Sequence, residues 1–183
     1  KDLEMVYVTG PNATDLQVLL GNYYGLASDM RTILEGVVSK TKIGNSVRYR
    51  QGVLLDRENV NPLDWASGTA KEADATIAVV GLTPLLEGEE GESLASPERG
   101  DRKEIGLLDN QVEYIKRLTK DNPNPVIVVV TGGSPVALPE VQELADAVMF
   151  AWYSGEQGGN AVADVLFGDA VPSGRLPITF PKS

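Results

Sequence analysis

Two kinds of hydrophobic spacing alternate along the chain. Short β-rich runs occur at Glu4–Val8 (EMVYV), Ala75–Val80 (ATIAVV), Val126–Val130 (VIVVV) and Asp146–Trp152 (DAVMFAW), with a weaker one at Ser46–Tyr49. The second and third are apolar at nearly every position, which predicts strands buried on both faces. Between them the spacing becomes helical. Ile33, Leu34, Val37 and Val38 recur at i, i+1, i+4 and i+5, predicting a helix capped by Ser28 or Asp29 and ending near Gly44. A second helix is expected over Pro62–Ala73, with Asp64 and Trp65 in its first turn. In a third, Asp109 takes the N-cap and Val112, Ile115 and Leu118 share one face. Pro139 suits the first turn of a helix running through Leu144, and Ala161–Phe167 forms a short helix stopped by Gly168. The alternation predicts an α/β fold: a mostly parallel sheet with helices on both faces, an α/β sandwich, spanning 1–183 as a single domain.

That geometry gathers the turns that follow strands along one edge of the sheet. They are Gly10-Pro11, Gly81 to Gly100, Gly132-Gly133 and Ser154 to Gly159. The second of these is unusual, because Leu82 to Arg102 concentrates Glu87, Glu89, Glu90, Glu92 and Glu98 directly after a buried strand. A charge run is most often a solvated loop, so its position after the strand is what raises a functional reading.

Composition narrows the chemistry. Sixteen Lys and Arg against 26 Asp and Glu give a net charge of -10, which argues against nucleic acid or an anionic membrane as partners. With no cysteine and no histidine, thiolate zinc sites, Cys nucleophiles and imidazole acid/base chemistry are excluded from this chain. Neither G-x-G-x-x-G nor G-x-x-x-x-G-K-[ST] occurs, so the strongest phosphate signatures are missing. The acidic loop lacks the alternating D-x-[DN]-x-[DN]-G ligand pattern of calcium loops, and no cofactor is called for. Carboxylates remain, and paired carboxylates suit glycoside hydrolysis. One protonates the leaving oxygen, and the other attacks the sugar or activates water. Crowding lets one member of such a cluster hold its proton. Asp101-Arg102 offers an ion pair at the loop's far end, and Trp152 either stacks on a sugar face or belongs to the core.

Several ordered motifs then make the sequence resemble the second domain of family 3 glycoside hydrolases. They are Gly10-Pro11-Asn12-Ala13 and Gly21-Asn22-Tyr23-Tyr24-Gly25, then Val79-Val80-Gly81-Leu82 leading to Glu87-Gly88-Glu89 and Asp101-Arg102. Ser154 to Gly159 with Ala163 to Gly168 and the closing Pro172 to Pro181 complete the set. The wording is most similar to β-xylosidases, with β-glucosidases as neighbours. The resemblance implies a retaining, exo-acting β-glycosidase, secreted or periplasmic, acting on an oligosaccharide or β-glycoside. Its nucleophilic Asp would lie in an N-terminal barrel domain of the same polypeptide, so 1–183 is expected to be a piece of a longer protein and inactive alone. The family pattern E-x-E-G-x-D-R points to Glu89 as general acid/base, then Glu87. The extra residues Glu92 through Gly100 before Asp101-Arg102 leave Glu87, Glu89 and Glu90 all open. A structural or carbohydrate-binding module with an idle loop is the alternative.

Overall fold

The computed structural model describes residues 3–25, 27–60, 65–88, 96 and 100–182. Among them, five strands form one sheet: β1 (Met5–Thr9), β2 (Ser46–Arg50), β3 (Ala75–Gly81), β4 (Val126–Thr131) and β5 (Ala147–Phe150). Their order is β2-β1-β3-β4-β5, and every pairing is parallel. The helices are α1 (Ile33–Ser39), α2 (Trp65–Glu72), α3 (Pro84–Glu87), α4 (Asp109–Thr119), α5 (Pro139–Leu144) and α6 (Gly158–Leu166).

Alternation along the central strands divides the core in two. Ala78, Val80, Val128 and Val130 pack with residues of α2, α4 and α5, among them Ala70, Ile115, Leu118 and Val141. Ile77, Val79 and Val129 pack on the other face with Ile33 and Val37 of α1 and Val162 of α6. β3 is buried at every position, and each fully buried valine contributes about 1.5–3 kcal/mol of transfer free energy. β2 is the contrast. Its exposed and half-buried residues alternate, with Arg48 and Arg50 facing solvent, as suits a strand at a sheet edge.

Several element ends differ from the sequence expectation, each for a local reason. The cap of α1 is Thr32, not Ser28 or Asp29, because Thr32 and Glu35 form a reciprocal capping box. The Thr32 hydroxyl accepts from the Glu35 N–H at 3.2 Å, and the Glu35 carboxylate accepts from the Thr32 N–H at 2.8 Å. The helix stops at Ser39 rather than near Gly44, since Lys40 and Thr41 donate to the carbonyls of Val37 and Val38 and tighten the last turn. Asp109 is the first residue of α4, and Leu108 occupies the N-cap position without a side-chain hydrogen bond. The strand expected over Asp146–Trp152 shortens to Ala147–Phe150. At one end the Asp146 carboxylate turns to accept from the Val126 N–H at 2.8 Å, and at the other Trp152 adopts a left-handed φ of 55°. Residues 62–64 of the expected second helix lie outside the described residues.

α6 begins at Gly158, three residues before the expected Ala161, because its first turn docks directly on α1. A Cβ placed on Gly36 would lie 2.0 Å from the Gly159 carbonyl oxygen, and one on Gly159 would lie 2.0 Å from that of Thr32. The two helices therefore meet backbone to backbone, and the Gly159 N–H donates to the Arg31 carbonyl at 3.0 Å.

The strand order reverses direction between β1 and β3, the place where open α/β sheets usually leave a ligand crevice. In this protein the crevice is filled. Gly10, at φ 104°, lets the chain turn so close to β3 that a Cβ there would sit 2.0 Å from the Val79 carbonyl oxygen. The following 3₁₀ turn, Pro11–Ala13, buries Asn12, whose amide donates to the Thr131 hydroxyl at 2.8 Å. From the opposite face, the Gln111 side chain of α4 pairs with both the N–H and the carbonyl of Gly81, at 2.7 and 3.0 Å.

Candidate active site

The acidic segment does not leave β3 as a loop throughout. Pro84 takes the first position of a one-turn helix, α3, a place where its missing N–H costs nothing, and Glu87 closes that turn. The carboxylate of Glu87 points under the loops that follow β4 and β5, and its side chain is only 9% exposed. Three donors converge on it. The Gly133 N–H donates to Oε2 at 2.6 Å, the Tyr153 hydroxyl donates to the same oxygen at 2.5 Å, and the Ser134 hydroxyl donates to Oε1.

Arg102 completes the group from the far end of the acidic segment. Its Nη2 lies 4.0 Å from Glu87 Oε1 and donates to the Ser134 hydroxyl at 3.0 Å and to the Pro135 carbonyl at 3.1 Å. A buried carboxylate facing this many donors has its lone pairs largely occupied, which satisfies its desolvation. The two oxygens are not equivalent, however. Oε2 is held by a backbone amide and a phenol, whereas the direct partner of Oε1 is a serine hydroxyl that can rotate from donor to acceptor. Burial, and then the neighbouring Glu87 charge, push the Tyr153 hydroxyl far above the ordinary tyrosine range, so it remains a protonated donor.

These groups line a cleft of about 770 Å³, open toward the carboxyl edge of the sheet, together with Asn22, Asp101 and Thr179. The cleft thus draws on loops after β3, β4 and β5, on the Gly21–Gly25 turn and on the chain's final apolar stretch. Of the two carboxylates singled out in the sequence, Glu87 is in this cleft. Glu89, with Glu90, Glu92 and Glu98, lies outside the described residues. Arg102 anchors its end of the segment, as the ion-pair reading expected. Trp152 sits elsewhere, in an aromatic cluster with Phe150 and Phe180 at centroid distances of 4.7 and 5.8 Å. Ser134 and Tyr153 were not picked out by sequence reasoning, although they directly adjoin two of the glycine-bearing turns expected along this edge, Ser134 after Gly132-Gly133 and Tyr153 before Ser154 to Gly159. Among the described residues no group of three or more carboxylates could hold a metal ion.

Known proteins are similar to the chain over nearly its whole length. A periplasmic beta-glucosidase of Salmonella typhimurium is 32% identical over 200 residues, covering 97% of this chain and 25% of that protein. A beta-xylosidase of Formosa agariphila is 32% identical over 188 residues, covering 98% of this chain and 24% of that protein. Among solved structures, a GH3 exo-beta-xylosidase (XlnD) in complex with a xylobiose aziridine activity-based probe superposes with a TM-score of 0.75 at 29% identity. The match covers 92% of this chain and 20% of that one. The chain therefore spans about a quarter of the length of the curated relatives it matches. The model of the glycosyl hydrolase family 3 C-terminal domain matches residues 1–183, and the chain belongs to that family.

Proposed function

We propose that this chain is the acid/base half of a retaining, exo-acting β-glycosidase of β-xylosidase or β-glucosidase type, working with a barrel domain of the same polypeptide that carries an Asp nucleophile. The carrying observation is the seat of Glu87, a largely buried carboxylate lining a cleft where three post-strand loops meet. In this reading Glu87 protonates the departing glycosidic oxygen and later takes a proton from the attacking water. Oε1 is the working oxygen. When it carries the proton, Ser134 turns to accept, and an incoming glycosidic oxygen competes with that hydroxyl for it. In retaining enzymes the two carboxyl groups stand about 5–5.5 Å apart, so a domain without the nucleophile has half of the required pair.

The test uses the full-length protein and aryl β-glycosides of good and poor leaving-group ability. Glu87→Gln is expected to lose about 10²–10⁴-fold in kcat on poor leaving groups and much less on activated ones. Glu89→Gln is the control that separates the two carboxylates. If it alone shows that signature, the role belongs to Glu89, as the family pattern favours. The isolated chain 1–183 is expected to leave an aryl β-xyloside untouched, and turnover above background would sink the two-domain assignment. A structural or sugar-binding module draws support from the full set of donors around Glu87, and it requires both substitutions to leave turnover intact.

A further inference from the structure

Tyr153 stands out as a half-buried, proton-holding group to which the proposed chemistry assigns no step. Its ring packs against two glycines from different loops. A Cβ on Gly133 would come within 2.9 Å of Tyr153 Cε2, and one on Gly21 within 3.2 Å of Cδ2. Both neighbours therefore leave room for an aromatic ring at the expense of any side chain of their own. The backbone before it is equally particular. Trp152 holds a φ of 55°, a region that bulky residues rarely occupy, and this ends β5 and redirects the chain toward β3. An observed outlier of this kind next to a cleft invites a functional account.

We propose that Tyr153 is a positioning residue for the acid/base carboxylate, fixing Glu87 Oε2 so that Oε1 is the oxygen presented to the glycosidic bond. The inference rests on Glu87 being the acid/base. Its basis is the 2.5 Å hydrogen bond from the Tyr153 hydroxyl to Oε2, shared with the Gly133 N–H at 2.6 Å. Two donors on one oxygen restrain rotation about the last side-chain bond, and a rotated carboxylate would exchange the two oxygens. Proton transfer in a bound complex is sensitive to such displacement, since misplacement by about 1 Å costs on the order of 10²-fold.

The experiment compares Tyr153→Phe, Glu87→Gln and the double variant in the full-length protein, measuring kcat and KM on aryl β-glycosides of graded leaving-group ability. Tyr153→Phe is expected to lower kcat by about 10–100-fold on poor leaving groups, with KM nearly unchanged and the loss fading on activated substrates. The double variant is expected to match Glu87→Gln alone, because a group acting only through Glu87 has nothing further to lose. Gly21→Ala, which presses the ring without touching Glu87, should reproduce the leaving-group signature more weakly, and it serves if Tyr153→Phe fails to fold. Wild-type kcat in Tyr153→Phe, alongside a leaving-group-selective loss in Glu87→Gln, overturns the positioning role and leaves the acid/base reading standing. Losses that multiply in the double variant also overturn it. A loss in Glu87→Gln that is independent of the leaving group removes the acid/base reading, and the positioning role with it.

Discussion

The two carboxyl-edge regions of the sheet, the β1/β3 reversal and the ends of β3, β4 and β5, were built for opposite purposes. At the reversal the gap is closed by contact at backbone distance: Gly10 against Val79 on one side, Gln111 paired with Gly81 on the other. One strand further along, glycines do the reverse. Gly21 and Gly133 make room for the Tyr153 ring, and the loops stand back to leave a cleft around Glu87. The general rule for open α/β sheets points to the edge that carries the candidate cleft, yet the crevice it designates at the reversal is sealed. What decides the place is how each glycine is used, as a point of closure or as a space for a neighbour's side chain.

Gly10→Ala probes the closed region hardest. Its Cβ would meet the Val79 carbonyl oxygen at 2.0 Å from a positive φ, and neither backbone segment can move without breaking β3. The expected destabilisation exceeds about 4 kcal/mol, read as loss of soluble protein or collapse of the denaturant midpoint. Gly133→Ala is the counterpart in the open region. There the first obstacle is a tyrosine ring, so the midpoint should move little while activity of the full-length protein falls. Equal destabilisation by the two alanines would erase the distinction.

Gln111→Leu keeps the volume and removes the pairing. It leaves the Gly81 N–H and carbonyl buried without that partner, at an expected cost of about 2–4 kcal/mol in a urea titration. A smaller effect comes from Tyr153 at high pH. The folded protein retains a hydroxyl proton that the unfolded chain releases above its ordinary value of 10.0. Stability from this group is therefore fully present below pH 10 and declines as pH rises beyond it, by up to about 1.4 kcal/mol per pH unit. Tyr153→Phe should flatten that decline by one proton's worth, and parallel wild-type and variant curves above pH 10 would contradict it.

The strands were legible because burial on both faces leaves an unbroken apolar signature, as in Val126–Val130, and the helix spacing around Ile33 and Val37 gave the layers. Helix ends were harder. Thr32 prevailed over Ser28 and Asp29 through Glu35 three residues on, a local pattern that was present in the sequence. The partners of Glu87 left no such trace. Gly133, Ser134 and Tyr153 lie 46, 47 and 66 residues away along the chain, and only the sheet order brings them together. Side-chain spacing carries no information about pairings of that kind.

The contact between Gly36 and Gly159 reaches further than helix packing. α6 starts at Gly158, five residues after Tyr153, so where α6 rests on α1 also sets where the loop carrying that tyrosine ends. α1 acts as an abutment for the cleft from the opposite layer of the molecule. Any side chain added at Gly36 would shift α6 outward and slacken the grip on Glu87 from a distance, and a transplanted version of this cleft would need the abutment as much as the carboxylate.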